Sequence, residues 1–254
     1  MEPKGSFYIK NKNIGGMNML YQMDYQPEMQ ISLSKGNRKL GKKVFAFNLL
    51  PGDKPISTKD KGQLTNVSGT CGGCCEECEG NCYAVRDARY HHNSCIPALA
   101  KNTLIMRHNM EGTFTQLRDR LKSEKAKILR YHSSGEIEIY DYLLHMVKLA
   151  IEMPEVRFYF YTKRFDFMEK YLKECGELPE NLICNISEWK GNTKGYNLDG
   201  LNRFVYDDGT DESLKNIPHC PAVNKKGHKT GVTCDQCGLC FSGNNGHVVA
   251  VYEH

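Results

Sequence analysis

The chain has 254 residues, 40% of them hydrophobic and 25% charged, with a formal net charge of +4. That is enough for one large domain or two small ones, so neither disulfides nor a metal is needed merely to fold. Lysine and arginine are spread rather than massed, which gives no indication of nucleic-acid binding, and no stretch approaches the roughly 18 apolar residues of a membrane span. The opening "MEPKGSFYIKNKNIGG" has no apolar signal region. The expectation is a cytoplasmic protein, in a reducing compartment where disulfides rarely persist.

Residues 1–36 are rich in Asn, Gln, Met and Gly without sustained periodicity and read as an irregular or partly ordered lead-in; residues 37–254 read as a single α/β metal-binding domain. "KKVFAFNLLPG" (42–52) is an apolar run closed by Pro-Gly, which predicts a buried strand ending in a turn. The polar stretch 53–70 leads to a dense cysteine segment, "CGGCCEECEGNC" (71–82). From Tyr90 to Leu121 the apolar residues keep helical spacing, with Gly112 as the predicted break between two helices. "AKILRYHSSGE" (126–136) predicts a strand and a small polar loop, and "IEIYDYLLHMVKLAIEMPE" (137–155) a helix stopped before Pro154. "VRFYFYTKR" (156–164) is aromatic and β-prone, and "FDFMEKYLKECGELPE" (165–180) predicts a helix ended by Gly176 and Pro179. Further strands are predicted at 181–189, 202–208 and 247–254.

Strands that alternate with helices must pair in parallel. About six of them predict a partly closed, six-stranded parallel β/α barrel, with a doubly wound open sheet as the alternative. In either, ligands collect at the carboxyl ends of the strands. Both cysteine segments, the 133–136 loop and the end of the 156–164 strand would then converge on one face.

Ten of the twelve cysteines lie within 71–95 and 220–240, whereas Cys175 and Cys184 stand apart and read as small core hydrophobes. The clustered ones read as thiolate ligands. In "HCPAVNKKGHKTGVTCDQCGLCF", Cys234, Cys237 and Cys240 follow C-x2-C-x2-C, the compact run that wraps three corners of an iron–sulfur cubane. Cys220, followed by Pro221, is the candidate fourth ligand. Zinc is the rival, because "CDQCG" also has the form of a zinc knuckle and four thiolates satisfy a tetrahedral ion. In the first segment Cys71, Cys75 and Cys78 make C-x3-C-x2-C, while Cys71, Cys78 and Cys82 make C-x6-C-x3-C followed by Tyr83 and Ala84. Both registers stay open, and so does ligation by Cys74 or Cys95.

The second register carries a resemblance. "NRKLGKKVFAFNLLPG", then C-x6-C-x3-C-Y-A and "AKNTLIMRHN", then "RYHSSGEIEIYDYLLHMVKLAIEMPEVRFYFYTKR" and the closing "HCPA…CDQCGLC", resemble the phage gene product 88 family from about Asn37 to Phe241. The resemblance implies a phage or prophage origin, hence a host-cell cytoplasm, and a metal-binding role for the matching cysteines. It supplies little chemistry of its own. Here Gly72 and Gly73 replace the family's Pro-rich form, and Cys74 and Cys75 are additional.

A second, weaker resemblance is to radical SAM proteins. They place a C-x3-C-x2-C loop after the first strand of a six-unit barrel, leaving one iron of a [4Fe-4S] cluster open to S-adenosylmethionine. After the second strand they carry a Gly-Gly-Glu-like segment, and Ser134, Gly135 and Glu136 stand in that place here. The plainer reading of "SSGE" is a loop and helix cap. Glu77 stands before the last cysteine of that register where those proteins carry an aromatic.

Smaller signals concern the surroundings of a cluster. Arg130 and His132 would share one face of their strand, and His132 is either a ligand, a donor to sulfide or a hydrogen-bonded structural histidine. Lys163 and Arg164 end an aromatic strand and would offset thiolate charge or hold an anion, or else form a solvated strand end. His91, His92 and Cys95 lie near the first segment as further ligand candidates, although solvent-facing histidines at a helix start are the commoner case. Trp189 and the tyrosines of "FYFYT" read as core. No phosphate-binding loop, dinucleotide fingerprint or nucleophile elbow is present. The expectation is a phage-type iron–sulfur protein, most simply [4Fe-4S], with a redox partner or a small-molecule substrate. The alternatives are a radical-SAM-like enzyme and a zinc-stabilised binding module.

Overall fold

The structure is a computed structural model and describes residues 10–11, 21–58, 62–72, 76–189, 191–226 and 228–252. In chain order its strands are β1 (Lys10–Asn11), β2 (Tyr21–Gln22), β3 (Leu33–Asn37), β4 (Gly41–Phe47), β5 (Pro55–Thr58), β6 (Gly62–Ser68), β7 (Ile128–Tyr131), β8 (Arg157–Thr162), β9 (Leu182–Glu188), β10 (Asn202–Asp207) and β11 (Val248–Tyr252). The helices are α1 (Glu76–Gly80), α2 (Tyr83–Tyr90), α3 (Cys95–His108), α4 (Met110–Ser123), α5 (Tyr140–Glu152), α6 (Phe165–Cys175) and α7 (Cys234–Cys237). Short 3₁₀ turns occupy Glu212–Asn216 and Leu239–Phe241.

A seven-stranded sheet in the order β11-β10-β9-β8-β7-β4-β3 organises the molecule. Six of its strands, β4 to β11 in that order, are parallel, and β3 lies antiparallel on β4 at the edge. Each parallel strand pairs with the next parallel strand along the chain, so every crossover steps the same way; α3 to α6 pack on one face and α7 lies on the other. The fold is therefore mixed α/β, and the doubly wound alternative is excluded, because that topology requires a reversal of strand order.

Alternation within the strands makes the two faces different. Phe45, Phe47, Leu129, Tyr131, Phe158, Phe160, Leu182, Cys184 and Ile186 belong to one core cluster with Leu117, Tyr142, Met146 and Met168 of the helices. Each such side chain contributes about 1.5–3 kcal/mol by leaving water. Val44, Ala46, Tyr159 and Ile183 face the other way and pack with Leu40 and Phe241. This second core is small, because the C-terminal cysteine segment covers only part of that face.

Several expectations need correction. Gly112 does not separate the two helices; Asn109 does, at a backbone φ of −148°, with its side chain accepting from Gly112 N. The polar stretch 53–70 is no mere connection, since β5 and β6 pair antiparallel and bury Ile56, Leu64 and Val67 against Ile96 and Ala100. The lead-in is partly ordered: its last residues enter β3, with Met29 and Ile31 buried in the main core. Cys184 is a core residue as expected, but Cys175 is exposed at the end of α6. Among the described residues no helix is long and apolar enough to cross a membrane.

Candidate functional site

On the smaller-core face, towards the carboxyl ends of the parallel strands, lies a cavity of about 190 Å³. Cys71, Cys78 and Cys82 line it from the first cysteine segment, and Cys220, Cys234, Cys237 and Cys240 from the second. Arg130, His132, Ser134, Gly135, Glu136, Lys163 and Arg164 complete the set of sequence-predicted residues that the fold brings to this cavity. Cys74 and Cys75 lie outside the described residues. His91, His92 and Cys95, at the junction of α2 and α3, do not line the cavity.

Local geometry explains how the C-terminal thiols are presented. Cys234 opens α7, whose Thr233 and Gln236 form a reciprocal capping box, and Cys237 closes it. Gly238 takes the left-handed conformation at φ 70°, which reverses the chain into the Leu239–Phe241 turn that carries Cys240. The segment is anchored to the sheet by Cys234 N donating to Lys39 O at 2.8 Å and Asn185 Nδ2 donating to Cys240 O at 2.9 Å. Cys220 N donates to Ala250 O of β11 at 2.8 Å.

The first segment is pinned from the other side. Cys71 N donates to Gly52 O at 2.8 Å, and Thr70 Oγ1 accepts from Glu136 N at 2.9 Å. Arg107 of α3 donates to Glu138 through Nε and Nη2 and to the carbonyls of Ser68 and Gly69, clamping the chain just before Cys71. Cys82 caps α2, and the hydroxyl of the next residue, Tyr83, donates to Ser133 O at 2.5 Å.

Arg130 projects from β7 into this setting while only 8% exposed. Its guanidinium lies 4.7 Å from the Tyr161 ring centroid, and its buried Nε has no hydrogen-bond partner. No carboxylate pairs with it among the described residues. A guanidinium does not deprotonate in a protein, and an uncompensated buried charge costs several kcal/mol. The site therefore calls for negative charge.

His132 is equally constrained. It holds a φ of 56° and is buried, with Nε2 3.0 Å from the Tyr142 hydroxyl and a buried, unpartnered Nδ1. Burial first, and Arg130 second, pull its pKa down to about 3, so the ring is neutral at physiological pH. If Nε2 donates to Tyr142, Nδ1 offers a lone pair; in the other tautomer it offers a proton.

The remaining predicted residues fall into two groups. The Glu136 carboxylate accepts from Ile137 N, Thr162 Oγ1 and Lys163 N, so most of its capacity holds the loop together. Burial raises its pKa, and those donors act in the opposite direction. Lys163 Nζ donates to Ser187 Oγ at 3.0 Å. Arg164 does not serve the cavity's charge, because its Nε and Nη2 pair with Asp166 and its Nη1 donates to Glu138 O. Trp189 stacks on Tyr206 at 4.4 Å and is half-buried rather than core.

Burial pushes the Cys240 thiol up to about 12 and also raises Cys234, with Arg130 opposing both. Such thiols stay protonated near neutrality unless more positive charge arrives beside them. Among the described residues no three Cys, His, Asp or Glu side chains stand close enough to share one metal ion.

The chain matches the family described as gene product 88 over residues 31–243. It belongs to the gene product 88 family. No curated protein and no solved structure matches it. The gene product 88 match runs from the residues before β3 to just beyond the Leu239–Phe241 turn and takes in both cysteine segments and the whole Arg130–Glu136 stretch. Within this gene product 88 chain the sequence reading missed Lys39, Tyr161 and Phe204 as cavity residues. Alternation in "RFYFYT" already puts Tyr159 and Tyr161 on one face. Nothing in the sequence singles out Lys39.

Proposed function

We propose that this chain is an iron–sulfur protein of phage type, with Cys220, Cys234, Cys237 and Cys240 holding one cluster and Cys71, Cys78 and Cys82 contributing to a second. The observation that carries the reading is the convergence of both cysteine segments on one cavity beside a buried arginine that has no carboxylate partner. The donor set fits: thiolates bind cluster iron as anions, and a cluster brings the positive charge that the half-buried Cys234 and Cys240 thiols lack. When bound, such a group would supply one-electron chemistry. The C-x2-C-x2-C spacing of Cys234, Cys237 and Cys240 favours a cluster over a single zinc, because three thiolates so spaced rarely converge on one small tetrahedral ion.

A radical-SAM-like enzyme is the second reading, favoured by one observation. Six parallel strands follow one another in chain order, as in a partial barrel, and the 133–136 loop after the second of them lines the cavity. The three donors already on the Glu136 carboxylate weigh against its receiving an amino group.

Anaerobic purification followed by iron, zinc and acid-labile sulfide analysis, with visible and electron paramagnetic resonance spectra, tests the proposal. Iron with matching sulfide and a dithionite-bleachable colour are expected. Cys237→Ser should lose the iron of the second segment and Cys78→Ser that of the first. Zinc without sulfide, or full iron in both variants, would overturn the assignment. Saturable binding of S-adenosylmethionine to the iron-loaded protein would move the balance to the second reading.

A further inference from the structure

The cavity holds two cations of different origin on the side of the second cysteine segment. Lys39 precedes β4, and its carbonyl accepts from Cys234 N while Leu40 O accepts from Asp235 N, so the residue is tied to the helical turn that presents the thiols. Burial first, and Arg130 second, lower the pKa of its ammonium, and Cys220, Cys234 and Cys240 oppose that shift. Arg130 reaches the same segment from the sheet and interacts with Cys234 and Cys240. The Tyr161 ring packs under the guanidinium, and its hydroxyl hydrogen-bonds Cys240. No carboxylate pairs with either cation among the described residues, and Glu136, the carboxylate lining the cavity, is engaged by three donors of its own loop. This asymmetry needs a cause, because two like charges repel and each is costly to desolvate.

We propose that Lys39 and Arg130 act as a charge-compensating pair that raises the reduction potential of the centre on Cys220, Cys234, Cys237 and Cys240. The inference rests on the iron–sulfur reading above. Four thiolates outweigh the charge of a cubane core, and reduction adds one more negative charge. Each fixed cation beside the ligands stabilises the reduced state more than the oxidised one, so the potential rises. The reaction is a transfer of one electron from a one-electron carrier, which is oxidised, to the centre, with no bond made or broken. Lys39 and Arg130 are positioning residues here: they act on the centre through its ligands.

The test uses the full chain, anaerobically loaded with iron and sulfide, in a Cys78→Ser background that silences the first segment. Iron and sulfide per chain are measured, then the midpoint potential by dithionite titration with redox mediators. Lys39→Met should keep its iron and sulfide and shift to more negative potential, whereas Lys39→Arg should stay with the parent. Arg130→Gln, compared at equal iron content, should shift in the same direction and Arg130→Lys should not. An unchanged potential in Lys39→Met and Arg130→Gln at equal iron would overturn the inference and leave the iron–sulfur reading standing. Absence of iron and sulfide from the parent would remove that reading, and this inference with it.

Discussion

At the scale of single residues, His132 works against two preferences at once. A φ of 56° costs a residue with a Cβ about 1–3 kcal/mol, and the ring is stripped of water beside a guanidinium. An unfolded imidazole titrates near pH 6.5, while burial and then Arg130 pull the folded one down to about 3. Between those values the unfolded chain binds the extra proton. Stability from this group is therefore complete above about pH 6.5 and falls as the pH drops, by up to about 1.4 kcal/mol per pH unit. Denaturant unfolding near pH 7 and near pH 5 should show a larger loss in the wild type than in His132→Gln. Equal losses would mean that the histidine does not govern the acid side. Three residues on, Gly135 holds a φ of 85°, and a Cβ there would lie 2.7 Å from Leu49 Cβ and 2.9 Å from Thr70 Oγ1. Left-handed strain of about 1–2 kcal/mol adds to overpacking of about 1–3 kcal/mol. Gly135→Ala should thus lose about 2 kcal/mol or more in a denaturant titration, and a change within about 0.5 kcal/mol would refute the packing argument.

At the scale of elements, the junction of α3 and α4 shows where a sequence can mislead. Glycine is the usual helix breaker, yet Gly112 sits inside the first turn of α4 because the Asn109 side chain closes over its N–H, leaving no room for a Cβ. Asn109→Ala should cost about 1 kcal/mol of global stability, read from the unfolding midpoint, while Gly112→Ala should fail to stabilise despite its better helix propensity. A neutral Asn109→Ala would show that the cap is cosmetic. The main strands were legible for a physical reason: "VFAF", "ILRY" and "RFYFYT" are short apolar runs, and a parallel strand buried on both faces needs such runs. The β5–β6 hairpin was not, because its buried Ile56, Leu64 and Val67 are scattered among polar residues and pack only after α3 arrives. Of the cysteines that the spacing singled out, Cys71, Cys78, Cys82, Cys220, Cys234, Cys237 and Cys240 line the cavity. Arg107 escaped notice because its five acceptors come from distant parts of the chain, two of them backbone carbonyls with no sequence signature.

At the scale of the whole molecule, the proposed metal and the fold should be coupled unevenly. The main core lies on the helical face of the sheet and draws nothing from the cysteines lining the cavity, so the metal-free chain should keep its helices and strands. The cavity face is different, because the two cysteine segments come from distant parts of the chain and both line it. Between Cys220 and Cys234 the chain is exposed from Asn224 to Gly231 wherever it is described, and it carries Lys225, Lys226 and Lys229. A cluster that binds only the folded state stabilises by mass action, about 2.7 kcal/mol at a hundredfold excess over its dissociation constant. For a chain of this size each kcal/mol moves Tm by about 2–4 °C, so chelating the metal should lower Tm by about 5–10 °C. Far-UV circular dichroism should barely change in the same experiment. Limited trypsinolysis should turn to the lysines between Cys220 and Cys234, because that segment loses the metal that fixes both its ends. An unchanged Tm with unchanged cleavage would mean that the second segment is held by protein contacts alone. Full collapse of the circular dichroism signal would mean that the metal supports the main core as well, against the separation of the two faces.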